Sequence, residues 1–162
     1  MTASRDTQQT ADAGLEVMFY QLDGAPLERV LPKLLEKSLE RGWRAVVRIE
    51  SAERLDALDA ALWTYSEESF LPHAPVAAGE PARQQVLLSL DGANLNGAHV
   101  LFVTDGGPLD EPPDFARVAY LFDGRDNALK ERAREEWRRV KTWGATASYW
   151  RQMAGGGWER AG

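Results

Sequence analysis

The chain contains no cysteine. That excludes disulfides, thiolate metal sites and a cysteine nucleophile, and it fits the reducing cytoplasm, the expected location. Histidine is scarce too: His73 and His99 are the two present, and neither has a partner at metal-ligand spacing. His99 opens an apolar run and is read as structural; His73, after Pro72, is read as a contact or hydrogen-bonding group. No run of about 18 apolar residues occurs, so no membrane-spanning helix is expected. Walker-type, dinucleotide-type and Gly-x-Ser-x-Gly loops are all missing, so no nucleotide or other cofactor is expected. The carboxylates are scattered and form no acid/base pair. Asp105, before Gly106 and Gly107, stands where an α/β enzyme would keep an acid, though a plain turn is the simpler reading. Positive charge is in deficit. Nineteen Lys and Arg against 25 Asp and Glu leave a net charge of −6, which does not suit a general nucleic-acid coat.

What is there suits one soluble domain. The 162 residues are 44% hydrophobic and 27% charged. Residues 1–14 are small and polar, without the apolar centre of a signal peptide, and are expected to form a disordered tail ahead of a single domain over residues 15–162. Strands are expected at residues 15–22, 43–49, 85–90, 99–104 and 116–122, the first with a continuous apolar middle that implies burial on both faces. Leu27, Val30, Leu31, Leu34, Leu35 and Leu39 recur at helical spacing until Gly42, with Pro32 as the site of a kink or a late start. Ser51 caps a second helix carrying Leu55, Leu58, Ala61 and Leu62. A last helix is expected from Asn127 to about Thr142. Strands alternating with helices give a three-layer α/β fold around a mostly parallel five-stranded sheet.

Two features point to function. In residues 61–73, Trp63, Tyr65, Phe70 and Leu71 stand where a helix ends and a loop begins; such groups either staple the loop or await a partner. In the last helix, Leu129, Ala133, Trp137 and Val140 share one face, and Lys130, Arg134, Arg138 and Lys141 form the adjacent stripe. Residues 130–151 hold seven basic and three acidic residues, a local reversal of the chain's sign. The stripe can be read as a solvated face. It can also be read as an anion site, in which Arg134 holds a carboxylate while an apolar neighbour fills a pocket beside Trp137. An acidic peptide ending in a hydrophobic residue fits that second reading. Beyond the helix, Trp143, Tyr149, Trp150, Met153 and Trp158 are dense enough to imply that the segment packs back on the domain.

In Phe19-Tyr20-Gln21-Leu22-Asp23, in Leu55-Asp56 through Leu62-Trp63 and Glu68-Ser69-Phe70-Leu71-Pro72-His73, and in Leu129-Lys130, Ala133-Arg134-Glu135, Trp137 and Gly144, the chain resembles the chi subunit family of bacterial DNA polymerase III. The resemblance implies a Rossmann-like fold without nucleotide chemistry. It implies a non-catalytic adaptor that links the C-terminal tail of single-stranded DNA-binding protein (SSB) to the clamp loader. Carried over by position, the SSB tail would meet Lys130, Arg134, Trp137 and Arg138. The psi subunit, or a helicase or other clamp-loader partner on the same face, would meet Trp63 and Phe70. Nucleic acid would be met only indirectly. Two other classes stay open: an α/β enzyme using a loop carboxylate such as Asp105, and a weak direct nucleic-acid binder working through the basic last helix.

Overall fold

The apolar runs read as strands form the centre of one sheet. The computed structural model describes residues 14–66, 71–109 and 113–162, so the expected disordered tail falls, apart from Gly14, outside the described residues. Strands β1 (Glu16–Leu22), β2 (Ala45–Arg48), β4 (Val86–Ser89), β5 (Val100–Val103) and β6 (Arg117–Asp123) match the five expected. Three more join them: β3 (Ala74–Pro75), β7 (Thr146–Gln152) and β8 (Trp158–Arg160). The order is β3-β4-β2-β5-β6-β1-β7-β8, a single mixed sheet in which β7 and β8 pair antiparallel and the other neighbours pair parallel.

The five-stranded expectation is thus corrected to eight strands among the described residues. The reason lies in burial. β7 (TASYWRQ) is half-exposed along most of its length and has no continuous apolar run to announce it. β8 has three residues, and β3 ends on Pro75 at the sheet edge, where a missing N–H is tolerated.

Helices α1 (Leu27–Glu40), α2 (Ala52–Thr64) and α3 (Asn127–Thr142) form where the apolar spacing places them. α1 begins before Pro32 and continues through it; the Pro26 carbonyl accepts from the N–H groups of Arg29 and Val30 at its start. Gly42, with φ of 80°, follows its end and donates to the Leu39 carbonyl. The Ser51 side chain caps α2 by accepting from the Arg54 N–H at 3.2 Å, as its sequence position implies. Asp126 caps α3 by accepting from Ala128 and Leu129.

The helices cover both faces. Leu31 and Leu35 of α1 and Leu58 and Leu62 of α2 pack with Val47, Leu88, Phe102 and Leu121 in one core. Ala133 and Val140 of α3 pack with Phe19, Val46, Leu87, Tyr120 and Phe122 in the other. The C-terminal aromatics return to these layers: Trp158 lies against the first core, Trp143 and Tyr149 against the second. Among the described residues no helix is long and apolar enough to cross a membrane.

Candidate functional site

α3 turns its apolar stripe to the sheet and leaves Trp137 half-buried at the margin. Because side chains in β7 alternate between faces, Tyr149 and Arg151 emerge on the same side of the sheet as α3. The parallel pairing of β1 with β7 sets Phe19 opposite Tyr149 and Gln21 opposite Arg151. A cavity of about 460 Å³ results, lined by Gln21, Lys130, Arg134, Trp137, Tyr149 and Arg151 and closed by Ala161 and Gly162.

Its floor is aromatic. The Trp137 ring meets Phe19 edge-on at 5.3 Å and Tyr149 at 6.1 Å, and Tyr149 stacks parallel to Phe19 at 6.5 Å. The Tyr149 hydroxyl donates to Gln21 Oε1, and burial, with the nearby Asp23 charge, pushes its pKa up, so it stays a neutral donor. After β8 the backbone keeps pairing with Tyr149: Tyr149 N–H donates to the Gly162 carbonyl at 3.1 Å, and Ala161 N–H to the Tyr149 carbonyl at 2.7 Å.

Three cations border this floor: Lys130, Arg134 and Arg151. Arg134 Nη1 lies 2.7 Å from Glu131 Oε1, with side chains 60% and 64% exposed. An ion pair so exposed contributes about 0–1 kcal/mol, which leaves the guanidinium available to an incoming carboxylate. Arg151 Nε stands 3.7 Å from Asp23 Oδ2. Lys141 Nζ sits 5.1 Å from the Trp137 ring.

The four residues read from the stripe therefore divide. Lys130, Arg134 and Trp137 come together, while Arg138 is exposed and does not line the cavity. Gln21, Tyr149, Arg151, Ala161 and Gly162 were not anticipated, since only the β1–β7–β8 pairing brings them to α3. A helix-face reading of residues 127–142 carries no signal for them.

The aromatic stretch resolves by burial. Leu62 and Leu71 are each 2% exposed and staple the segment to the first core. Trp63, at the end of α2, is 53% exposed and lies 4.5 Å, ring to ring, from His73. His73 is buried, with Nδ1 at 2.7 Å from the Leu71 carbonyl and Nε2 at 3.0 Å from Asp59 Oδ1. Phe70 lies outside the described residues. His99 stacks on Trp43 at 4.3 Å, and burial with the Arg117 charge pushes its pKa down.

Asp105 sits in a turn at φ of 54° and accepts from Arg54 Nε at 3.0 Å, while Arg54 Nη1 reaches Glu28 Oε2 at 2.5 Å. Burial acts to raise the Glu28 pKa, but the Arg54 hydrogen bond and charge outweigh it and the carboxyl ends below its ordinary value. The Glu28 carboxylate is thereby held ionised, the opposite of a poised general acid. Arg54→Ala leaves two carboxylates facing each other across a site that is roughly one-third exposed. Urea unfolding should show a loss of about 1 kcal/mol, with Asp105→Asn costing less. Among the described residues no group of three or more His, Asp or Glu side chains could hold a metal ion.

The family described as "DNA polymerase III chi subunit, HolC" matches residues 15–148 of this chain. The match runs from β1 into β7 and includes all of α3. Among curated proteins, the chain is 30% identical over 128 residues to the DNA polymerase III subunit chi of Pseudomonas aeruginosa, covering 75% of this chain and 86% of that protein. It is 27% identical over 90 residues to the probable DNA polymerase III subunit chi of Rickettsia prowazekii, covering 56% of this chain and 51% of that protein. The chain thus spans about half the length of the Rickettsia relative and most of the Pseudomonas one. The match takes in strands β1 to β6 and all three helices, and this chain belongs to the DNA polymerase III chi subunit family.

Proposed function

We propose that the protein is a non-catalytic adaptor in DNA replication, joining the SSB C-terminal tail to the clamp loader of DNA polymerase III. The observation that carries this reading is the convergence of Lys130, Arg134 and Arg151 around an aromatic floor of Trp137 and Tyr149. A cavity of about 460 Å³ accommodates one aromatic side chain and its terminal carboxylate. The cations complement the acidic residues that precede them, with Arg138 adding charge at longer range. In the chi family a tyrosine is common where this chain has Trp137. Here the neighbouring Tyr149 supplies a hydroxyl to the same cavity.

The second surface of the adaptor is the end of α2, where Trp63 and, beyond the described residues, Phe70 meet the psi subunit or a helicase or clamp-loader partner on that face. The staple formed by Leu62 and Leu71 supports this assignment, because it leaves Trp63 outward while anchoring its neighbours. The two surfaces lie on opposite faces of the sheet, so both partners can bind at once.

The test is fluorescence anisotropy with a labelled SSB-tail peptide. Removing its terminal Phe should weaken binding at least about tenfold, since both the ring and the correctly placed carboxylate are lost. Undiminished binding of the shortened peptide would overturn the pocket assignment.

A further inference from the structure

A second basic surface lies on the opposite face of the sheet from α3. Two of the three acids of α1 are engaged elsewhere, and the third, Glu40, is exposed one turn from Lys37. Glu28 and Glu36 turn towards α2, where Glu28 accepts from Arg54 and Glu36 from the Tyr65 hydroxyl. Arg29, Lys33, Lys37 and Arg41 recur every fourth residue, all exposed, and none forms an ion pair with a described residue. At 1.5 Å rise per residue the charges stand about 6 Å apart along a row of about 18 Å.

The row borders a groove. A cleft of about 740 Å³ separates α1 from the β7–β8 hairpin, with Arg29, Lys33 and Lys37 on one wall and Met153 and Trp158 on the other. Met153 is 47% exposed, and Trp158 is propped edge-on against Tyr20 at 4.9 Å. Leu34 and Lys37 also line a smaller hollow of about 100 Å³ that continues the groove past Arg41, Trp43 and Arg117. There the Arg41 and Arg117 guanidinium groups sit 4.9 Å and 4.8 Å from the Trp43 ring. The carboxylate in the larger cleft, Asp23, is already engaged, accepting from Gln21 Nε2 at 2.9 Å.

We propose that this groove holds a short length of single-stranded nucleic acid, its phosphates along Arg29, Lys33, Lys37 and Arg41 and a base against Trp158 and Met153. An evenly spaced row of unpaired cations beside an aromatic wall is the arrangement that tracks a sugar–phosphate chain without reading its sequence. An acidic protein segment fits less well. β8, the edge strand beside the cleft, offers three residues for strand addition, too few to register a peptide. Four cations in a chain of net charge −6 make the site weak, suited to strand already held nearby rather than to independent capture. The proposal does not rest on the peptide pocket of α3, which lies across the sheet and shares none of these cations.

The test is anisotropy of the whole chain with a labelled oligodeoxythymidine of about twelve nucleotides. Four neutralised phosphates predict a log–log salt slope near −3, or about 50-fold weaker binding at 200 mM than at 50 mM salt. Arg29→Glu, Lys33→Glu and Lys37→Glu combined should abolish binding. The charge-conserving set Arg29→Lys, Lys33→Arg and Lys37→Arg should keep it, as should Arg134→Ala. The single exposed change Lys33→Ala, which perturbs folding least, should lower the slope by about 0.7. No saturable binding at 50 mM salt overturns the proposal. So does binding that tracks Arg134 rather than α1, or displacement of the oligonucleotide by a glutamate-rich peptide of equal charge at equal concentration.

Discussion

Arg134→Ala should weaken binding of a Phe-terminated acidic peptide by about 10- to 100-fold, Trp137→Ala should abolish it, and Arg138→Ala should change it less than about threefold. The first figure follows from a carboxylate losing a charge-assisted hydrogen bond, about 1.5–3 kcal/mol. Little of that is recovered elsewhere, because the remaining cations, Lys130 and Arg151, are fixed by different elements on other sides of the cavity. Trp137→Ala acts differently: it takes away the ring on which an incoming apolar side chain would rest and opens a void against Phe19 and Tyr149. Arg138 is the internal control. It carries the same charge on the same helix one turn further along, yet lies outside the cavity lining. Calorimetric titration of the three variants, each checked for folding by circular dichroism, separates a pocket from a merely charged face. Equal losses for Arg134→Ala and Arg138→Ala would mean that the stripe acts only through its summed field, and the pocket would have to be given up.

The unequal placement of Arg134 and Arg138 also marks where the sequence stops being legible. Helical periodicity placed Lys130, Arg134 and Trp137 on neighbouring stripes of α3, because three- and four-residue spacing is a local property. Periodicity could not say which cation ends beside the ring. That depends on where β7 runs, and β7 is a strand of moderate burial, held by pairing with β1 rather than by an apolar pattern of its own. Tyr149 and Arg151 were therefore invisible as cavity-lining residues, though Tyr149 was readable as an aromatic that packs inward. The buried strands were legible for the converse reason: residues such as Val86–Ser89 and Val100–Val103 are covered on both faces and need no alternation. The α1 cations escaped notice because exposed Lys and Arg on an amphipathic helix are ordinary. It is the β7–β8 hairpin standing opposite them that turns a solvated stripe into one wall of a groove.

Phe19→Ala should be among the most damaging single changes, costing about 3–5 kcal/mol against a total domain stability of about 5–15 kcal/mol. Phe19 is fully buried at the middle of β1, between the parallel partners β6 and β7. Its ring lies 5.1 Å from Tyr120, 5.3 Å from Trp137 and 6.5 Å from Tyr149, so one side chain joins the second core to the floor of the candidate pocket. The void left by alanine cannot close easily. Tyr120 is held within β6, and the backbone on either side is fixed by two ladders. Chemical denaturation should show the loss as a lower midpoint at an unchanged slope. Phe19→Leu, which keeps most of the volume, should cost less than half as much. The pocket provides an independent readout. In whatever fraction of Phe19→Ala remains folded, Trp137 and Tyr149 lose the ring that orients both, so peptide affinity should fall even after correction for unfolded protein. An Ala variant that is destabilised yet binds peptide with native affinity would show that the pocket floor stands without Phe19, supported by α3 and β7 alone.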